Sequence, residues 1–238
     1  MATLKRHLAR NPGDYAGMVF ELVQGEGGFY PGEREFFIAL MRTVKEAGAA
    51  VLIDEIQTFG RTTELFAFQH SGLDAYVDVV TIGKLSQVCA TLIREEYRPG
   101  PGLISQTFTG STSAIHVSKV IIDTLLSSGY FGPAGKISHL HGHFEKCLKA
   151  IEKRHPAWLS GPFGIGAMIV FTVFDGNIET TKKFLHSLFE AGVMGFYAGM
   201  DPARVRFLIP VGVVSIEEID NVSAIVERTL AAVAATIE

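Results

Sequence analysis

The stretch AAVLIDEIQTFGRT, residues 49–62, runs apolar side chains straight into Asp54 and Glu55, then turns polar through Gln57, Thr58, Gly60, Arg61 and Thr62. A short, continuous apolar run bounded by turn residues predicts a buried strand of the parallel kind. Upstream, EREFFIALMRTVKEA (residues 33–47) sets Phe36, Phe37, Leu40, Met41 and Val44 at helical spacing, with Gly48 placed to end the helix. Before it, GMVFELV (17–23) predicts a strand and GEGGFYPG (25–32) a glycine-rich loop. Strand, helix and strand within about forty residues make a right-handed crossover unit with a parallel pair. VDVVTIG (77–83) and CATLI (89–93) add two further apolar runs. The fold class is therefore α/β, a mainly parallel sheet with flanking helices.

The pattern changes further along. TLKRHLAR (3–10) and STSAIHVSKVIIDTLLSSG (111–129) predict helices, and the second is long enough to bridge two domains. Beyond it come a helix (133–155), a strand GAMIVFTVF (166–174), a helix (178–192), a strand RVRFLIP (204–210) and a last helix (215–235). That helix opens with Ser215 and, three residues on, Glu218, a capping box. The expected division is a sheet-bearing domain over residues 1–128 and a smaller α+β domain over 129–238.

Composition narrows the function. At 238 residues, 47% apolar and 19% charged, the chain can bury a substantial core. A net charge of -4 speaks against a nucleic-acid or anionic-membrane surface, since both reward basic patches. Only Cys89 and Cys147 occur, without CxxC spacing, and no apolar run approaches the roughly 18 residues of a membrane span. A small-molecule protein of the reducing cytoplasm is the expectation.

Ligands of open α/β sheets lie at the carboxyl ends of the strands. Asp54 ends one run and Lys84 lies one residue past another, so a carboxylate and an amine would face one crevice. This pair suits chemistry in which the amine forms an imine with a carbonyl compound and the carboxylate holds a cationic ring nitrogen. VLIDE also suits the magnesium-binding strand of a P-loop ATPase, but neither Gly83-Lys84 nor Gly135-Lys136 is followed by Ser or Thr. His139 and His143 sit four apart on a predicted helix. With no acidic or cysteine partner recognised near them, they read as a solvated face, and no metal is expected.

The blocks FELVQGEGG, LIDEIQTFGRTTELFAFQHSGLD, VTIGKLSQVC, SQTFTGS and RVRFLIPV resemble, in order and spacing, class III pyridoxal-phosphate aminotransferases of the ornithine, 4-aminobutyrate and acetylornithine type. GKLSQVC is most similar to the lysine 6-aminotransferase-like branch. Leu22 replaces a proline of the first motif. The second is one glycine shorter after Thr58, with Thr63 at its final glycine. The resemblance implies the fold type I transferase large domain with pyridoxal 5'-phosphate as cofactor. It further implies transfer of an amino group from an amino acid or ω-amine to a 2-oxo acid through a Schiff base on Lys84.

Carried over by position, Lys84 is the catalytic amine, Asp54 the partner of the ring nitrogen and Gln57 the residue bonded to the ring hydroxyl. Ile56 packs on the ring face, a role shared with plain core packing. Thr107 reaches the phosphate of a neighbouring subunit, which implies a homodimer; a turn or helix-cap threonine, as for Thr109 or Ser111, is the other reading. Arg206 takes the substrate carboxylate, with Arg204 as rival, and Glu26 pairs with that arginine. The family's phosphate-cradling turn has no counterpart among these blocks. The expectation is therefore a truncated or split enzyme with a complementing N-terminal half chain, or else a non-catalytic remnant or partner-binding half-subunit.

Overall fold

The computed structural model describes residues 1–103 and 110–237. In chain order its elements are α1 (Ala2–Arg10), β1 (Gly17–Phe20), β2 (Val23–Gln24), α2 (Gly25–Gly28), β3 (Tyr30–Pro31), α3 (Arg34–Glu46), β4 (Ala50–Asp54), α4 (Ala67–His70) and β5 (Val79–Ile82). They continue with β6 (Ala90–Ile93), α5 (Thr112–Ser127), α6 (Lys136–Arg154), β7 (Leu159–Ile165), β8 (Met168–Val173), α7 (Ile178–Glu190), β9 (Phe196–Ala198), β10 (Arg204–Leu208) and α8 (Ile216–Ala234). Two compact units result: Met1–Val23 with Gly32–Gly129, and Gln24–Pro31 with Tyr130–Glu238.

The first unit holds a sheet of order β1-β4-β5-β6. β1 and β5 flank β4 in parallel, so the sheet is mostly parallel, as its apolar runs predict. β6 runs antiparallel to β5. Residues 83–89 are too short for the crossover of a dozen or more residues that a parallel return needs. Helix α3 stops where Gly48 takes φ +76 and the Ala49 N–H donates back to Val44 O at 3.2 Å. Chain entry into β4 is fixed by that turn, and Val51 and Ile53 are fully buried in one cluster with Phe37, Leu40, Met41 and Val44. Each such side chain contributes about 1.5–3 kcal/mol on burial. Asp78 anchors the start of β5: buried, it accepts from the Val51 N–H at 2.9 Å and pairs with Lys45 of α3.

The strand expected over residues 17–23 ends at Phe20, and the expected glycine loop contains a single helical turn, α2. Gly28 at φ +116 and Phe29 at φ +55 end that turn by leaving the right-handed region.

The second unit has an antiparallel sheet of order β7-β8-β10-β9. Its core gathers Phe144, Leu148 and Ile151 of α6, Phe171 of β8, Phe184 of α7, and Val226 and Leu230 of α8. The capping box at α8 forms both ways: Glu218 N–H donates to Ser215 Oγ at 3.2 Å and Ser215 N–H to Glu218 Oε2 at 2.7 Å. Two strands escape the sequence pattern. β7 carries Gly161, Pro162 and Gly164 around a register shift between Ser160 and Phe163, and β9 is three residues long.

Candidate functional site

In the first unit, the adjacent carboxylates at the end of β4 have opposite surroundings. Asp54 is half-buried, and its Oδ1 accepts from the Ile56 N–H at 2.9 Å in a tight polar turn. Glu55 is fully buried. It accepts from the Thr58 hydroxyl and from the N–H groups of Ala67 and Phe68, each at 3.0 Å, at the start of α4. Burial raises its carboxyl above the ordinary range. Gln57 is buried, and its carbonyl accepts from Arg61 Nη1 at 2.7 Å. Burial lowers the Arg61 guanidinium from its ordinary value. The segment after β4 is thus fixed by Glu55 and Arg61, leaving Asp54 at the strand end.

The neighbouring strand end is built differently. Glu55 N–H donates to Thr81 O at 2.9 Å, carrying the β4–β5 pairing one residue beyond Asp54. Gly83 and then Lys84 follow, and Lys84 adopts φ +53 in opening a single 3-10 turn. A non-glycine residue there costs roughly 1–2 kcal/mol, a strain that concentrates at functional positions. A Cβ added to Gly83 would come 2.9 Å from Ile56 Cδ1 and 3.3 Å from Cys89 Sγ, so a larger residue there would push the Ile56 side chain aside. The exposed Lys84, the half-buried Asp54 and Ile56 therefore belong to the same end of adjacent parallel strands. Thr107 lies outside the described residues.

In the second unit, Arg206 of β10 donates to Glu26 Oε1 at 2.6 Å. The arginine side chain is 14% exposed and that of Glu26 72%. With one partner in solvent, such a pair is worth about 0–1 kcal/mol. Arg204 is committed elsewhere: its Nη1 donates to Gly28 O at 2.8 Å, and its guanidinium lies 4.0 Å from the Tyr30 ring centre and 4.4 Å from that of Phe163. Burial holds that guanidinium below its ordinary value. Tyr30 and Phe163 are not singled out by the sequence reading; an aromatic beside a glycine turn is too common a signal.

The donor set of the first unit fits pyridoxal phosphate. Asp54 offers a carboxylate with solvent access, and Lys84 an exposed amine at the end of the neighbouring strand. A mostly parallel sheet with these groups at its strand ends is compatible with the pyridoxal-phosphate transferase fold class. The chain belongs to the class-III aminotransferases, whose family model, described as Aminotransferase class-III, matches residues 1–230.

Among its relatives is the acetylornithine aminotransferase of Streptococcus mutans, 30% identical over 217 residues, covering 87% of this chain and 53% of that protein. The L-lysine-epsilon aminotransferase of Mycobacterium bovis is 29% identical over 228 residues, covering 92% of this chain and 48% of its own. The solved lysine aminotransferase from Mycobacterium tuberculosis superposes with a TM-score of 0.85 at 28% identity, over 97% of this chain and 53% of that one. The chain spans about half the length of the curated relatives it matches.

Proposed function

We propose that this chain supplies the lysine, ring-nitrogen and substrate-carboxylate parts of a pyridoxal-phosphate aminotransferase site. That site would move an amino group from an amino acid or ω-amine to a 2-oxo acid. The supporting observation is the placement of Asp54 and Lys84 at the same end of the parallel β4–β5 pair, with Lys84 at positive φ. Asp54 would hold the protonated ring nitrogen, a charge-assisted hydrogen bond worth about 1.5–3 kcal/mol. Lys84 would hold the cofactor through its ε-amine and move the proton at the substrate Cα. Ile56 would pack on the ring, Gln57 bond the ring hydroxyl, and Thr107 reach the phosphate of a neighbouring subunit, which makes a homodimer part of this reading. Pyridoxal phosphate, when bound, supplies the carbonyl and a ring that accepts an electron pair.

Arg206 would take the substrate carboxylate in a two-pronged fork, with Glu26 covering the arginine when an ω-amine end enters. Arg204 is a weaker candidate because its guanidinium is held by Gly28, Tyr30 and Phe163. Relatives named for acetylornithine and L-lysine-epsilon support ω-amine donors, and 2-oxoglutarate as acceptor is part of the same proposal. The rest of the site would come from polypeptide beyond these 238 residues, on the same chain or a complementing one. A large-domain portion over 1–128, a small α+β domain over 129–238 and a cytoplasmic location belong to the same proposal. No helix among the described residues is long and apolar enough to cross a membrane.

The test is glutamate formation from 2-oxoglutarate and a panel of ω-amine donors, with pyridoxal phosphate present. Lys84→Arg should abolish turnover and Arg206→Ala should mainly raise KM for the carboxylate substrate. Turnover that survives Lys84→Arg contradicts the proposal.

A further inference from the structure

Away from the strand ends, the second unit brings three side chains of metal-ligating chemistry together. One donor atom each from His143, Cys147 and Asp220 lies within 4.8 Å of the others. His143 Nε2 stands 2.6 Å from Asp220 Oδ1, and Cys147 Sγ stands 3.7 Å from that nitrogen and 3.6 Å from that oxygen. We propose that these residues form a three-ligand site for Zn2+, with its fourth position open to water.

The distances carry the argument. Zn–S bonds of about 2.3 Å and Zn–N and Zn–O bonds of about 2.0–2.1 Å put tetrahedral S–N and S–O pairs about 3.5 Å apart and N–O pairs about 3.3 Å apart. Both sulfur distances already have nearly that length. The nitrogen–oxygen distance is that of a hydrogen bond, and the metal would take the place of its proton as this edge opens by about 0.7 Å, the neutral ring then carrying its proton on Nδ1. Asp220, with its side chain 55% exposed, has the freedom to supply that movement. The donor set is also selective: imidazole and thiol together with one carboxylate suit zinc, whereas magnesium and calcium take oxygen ligands.

The scaffold is firm. His143 and Cys147 are one turn apart on α6, so both face the same way. Asp220 comes from the early part of α8, whose start is held by the Ser215–Glu218 box. Phe144 and Leu148 on α6 and Ile219 on α8, each next to one of the three ligands in sequence, are buried, which locks the helices that carry them. Cys147 would bind as the thiolate, so forming the Zn–S bond releases the thiol proton to solvent. The sequence reading paired His143 with His139 and missed both Cys147, one turn on, and Asp220, 77 residues away.

Alkylation of the full chain tests the site, because Cys89 is an exposed thiol that serves as internal control. With Zn2+ present, iodoacetamide modification of Cys147, followed by peptide mass, should slow by about tenfold or more while Cys89 is unaffected. His143→Gln and Asp220→Asn, each checked for an unchanged melting curve, should remove the protection. Competition with a chromophoric chelator should report one Zn2+ lost in the same variants. Equal protection of both cysteines, no protection of Cys147, or protection that persists in His143→Gln would overturn the proposal and leave a hydrogen-bonded trio.

Discussion

β8 and β4 are both interior strands of their sheets, yet they bury their side chains differently. All six residues of β8 are buried. Along β4 only Val51 and Ile53 are, while Leu52 and Asp54 on the opposite face remain half-buried, and Val19, opposite Leu52 in register, is 62% exposed. A strand enclosed on both faces contributes packing alone. A strand with one face closed holds its terminal carboxylate in place and leaves that carboxylate accessible. The proposed chemistry would use positions that packing does not claim.

The sharpest way to break this comparison is to cut a side chain from each sheet. Phe171→Ala in β8 should destabilise the second unit by about 3–5 kcal/mol, whereas Val19→Ala should stay within about 0.5 kcal/mol. Urea denaturation midpoints check both, and equal losses would mean that the faces of the first sheet do not differ.

The neighbouring carboxylates give the next effect. Glu55→Ala strands buried donors at Ala67 and Phe68 and should cost about 1–3 kcal/mol, while Asp54→Asn should cost less than about 0.5 kcal/mol. Their pH behaviour sharpens the contrast. The folded-state value of Glu55 is raised, so its contribution is full below the ordinary carboxylate range and falls as pH rises through the folded value. Stability measured from about pH 5 to about pH 8 should therefore fall less in Glu55→Gln than in the parent chain. Parallel curves would remove the role given to burial. A smaller effect than that of Glu55→Ala belongs to Glu26→Gln, which should shift stability by under about 1 kcal/mol, and less still at high salt.

Much of the first unit is legible in the sequence because its strands are short apolar runs and its helix α3 has clean 3.6-residue spacing. The antiparallel direction of β6 depends on a connection length, which apolar content does not encode. β7 is hidden because glycines and a proline mask a strand that tolerates them at a bulge. Glu55 and Asp54 are spelled identically to any composition rule; only the turn at Ile56 and the start of α4 separate them. The division between Arg204 and Arg206 is likewise illegible from β10 alone, because it depends on Gly28, Tyr30 and Phe163 far away in the chain. The spacing of four between His143 and Cys147 is local, but Asp220 joins them only because two helices meet.

The central claim is that Lys84 is the amine of a cofactor site completed by Asp54. The direct measurement is to incubate the chain with pyridoxal phosphate, reduce with borohydride and map the labelled peptide. The account predicts label on Lys84 ahead of exposed lysines such as Lys119 and Lys149, which are paired with Asp123 and Glu145, and predicts that Asp54→Asn lowers it. Label spread evenly over the surface lysines, or concentrated on another one, would contradict it.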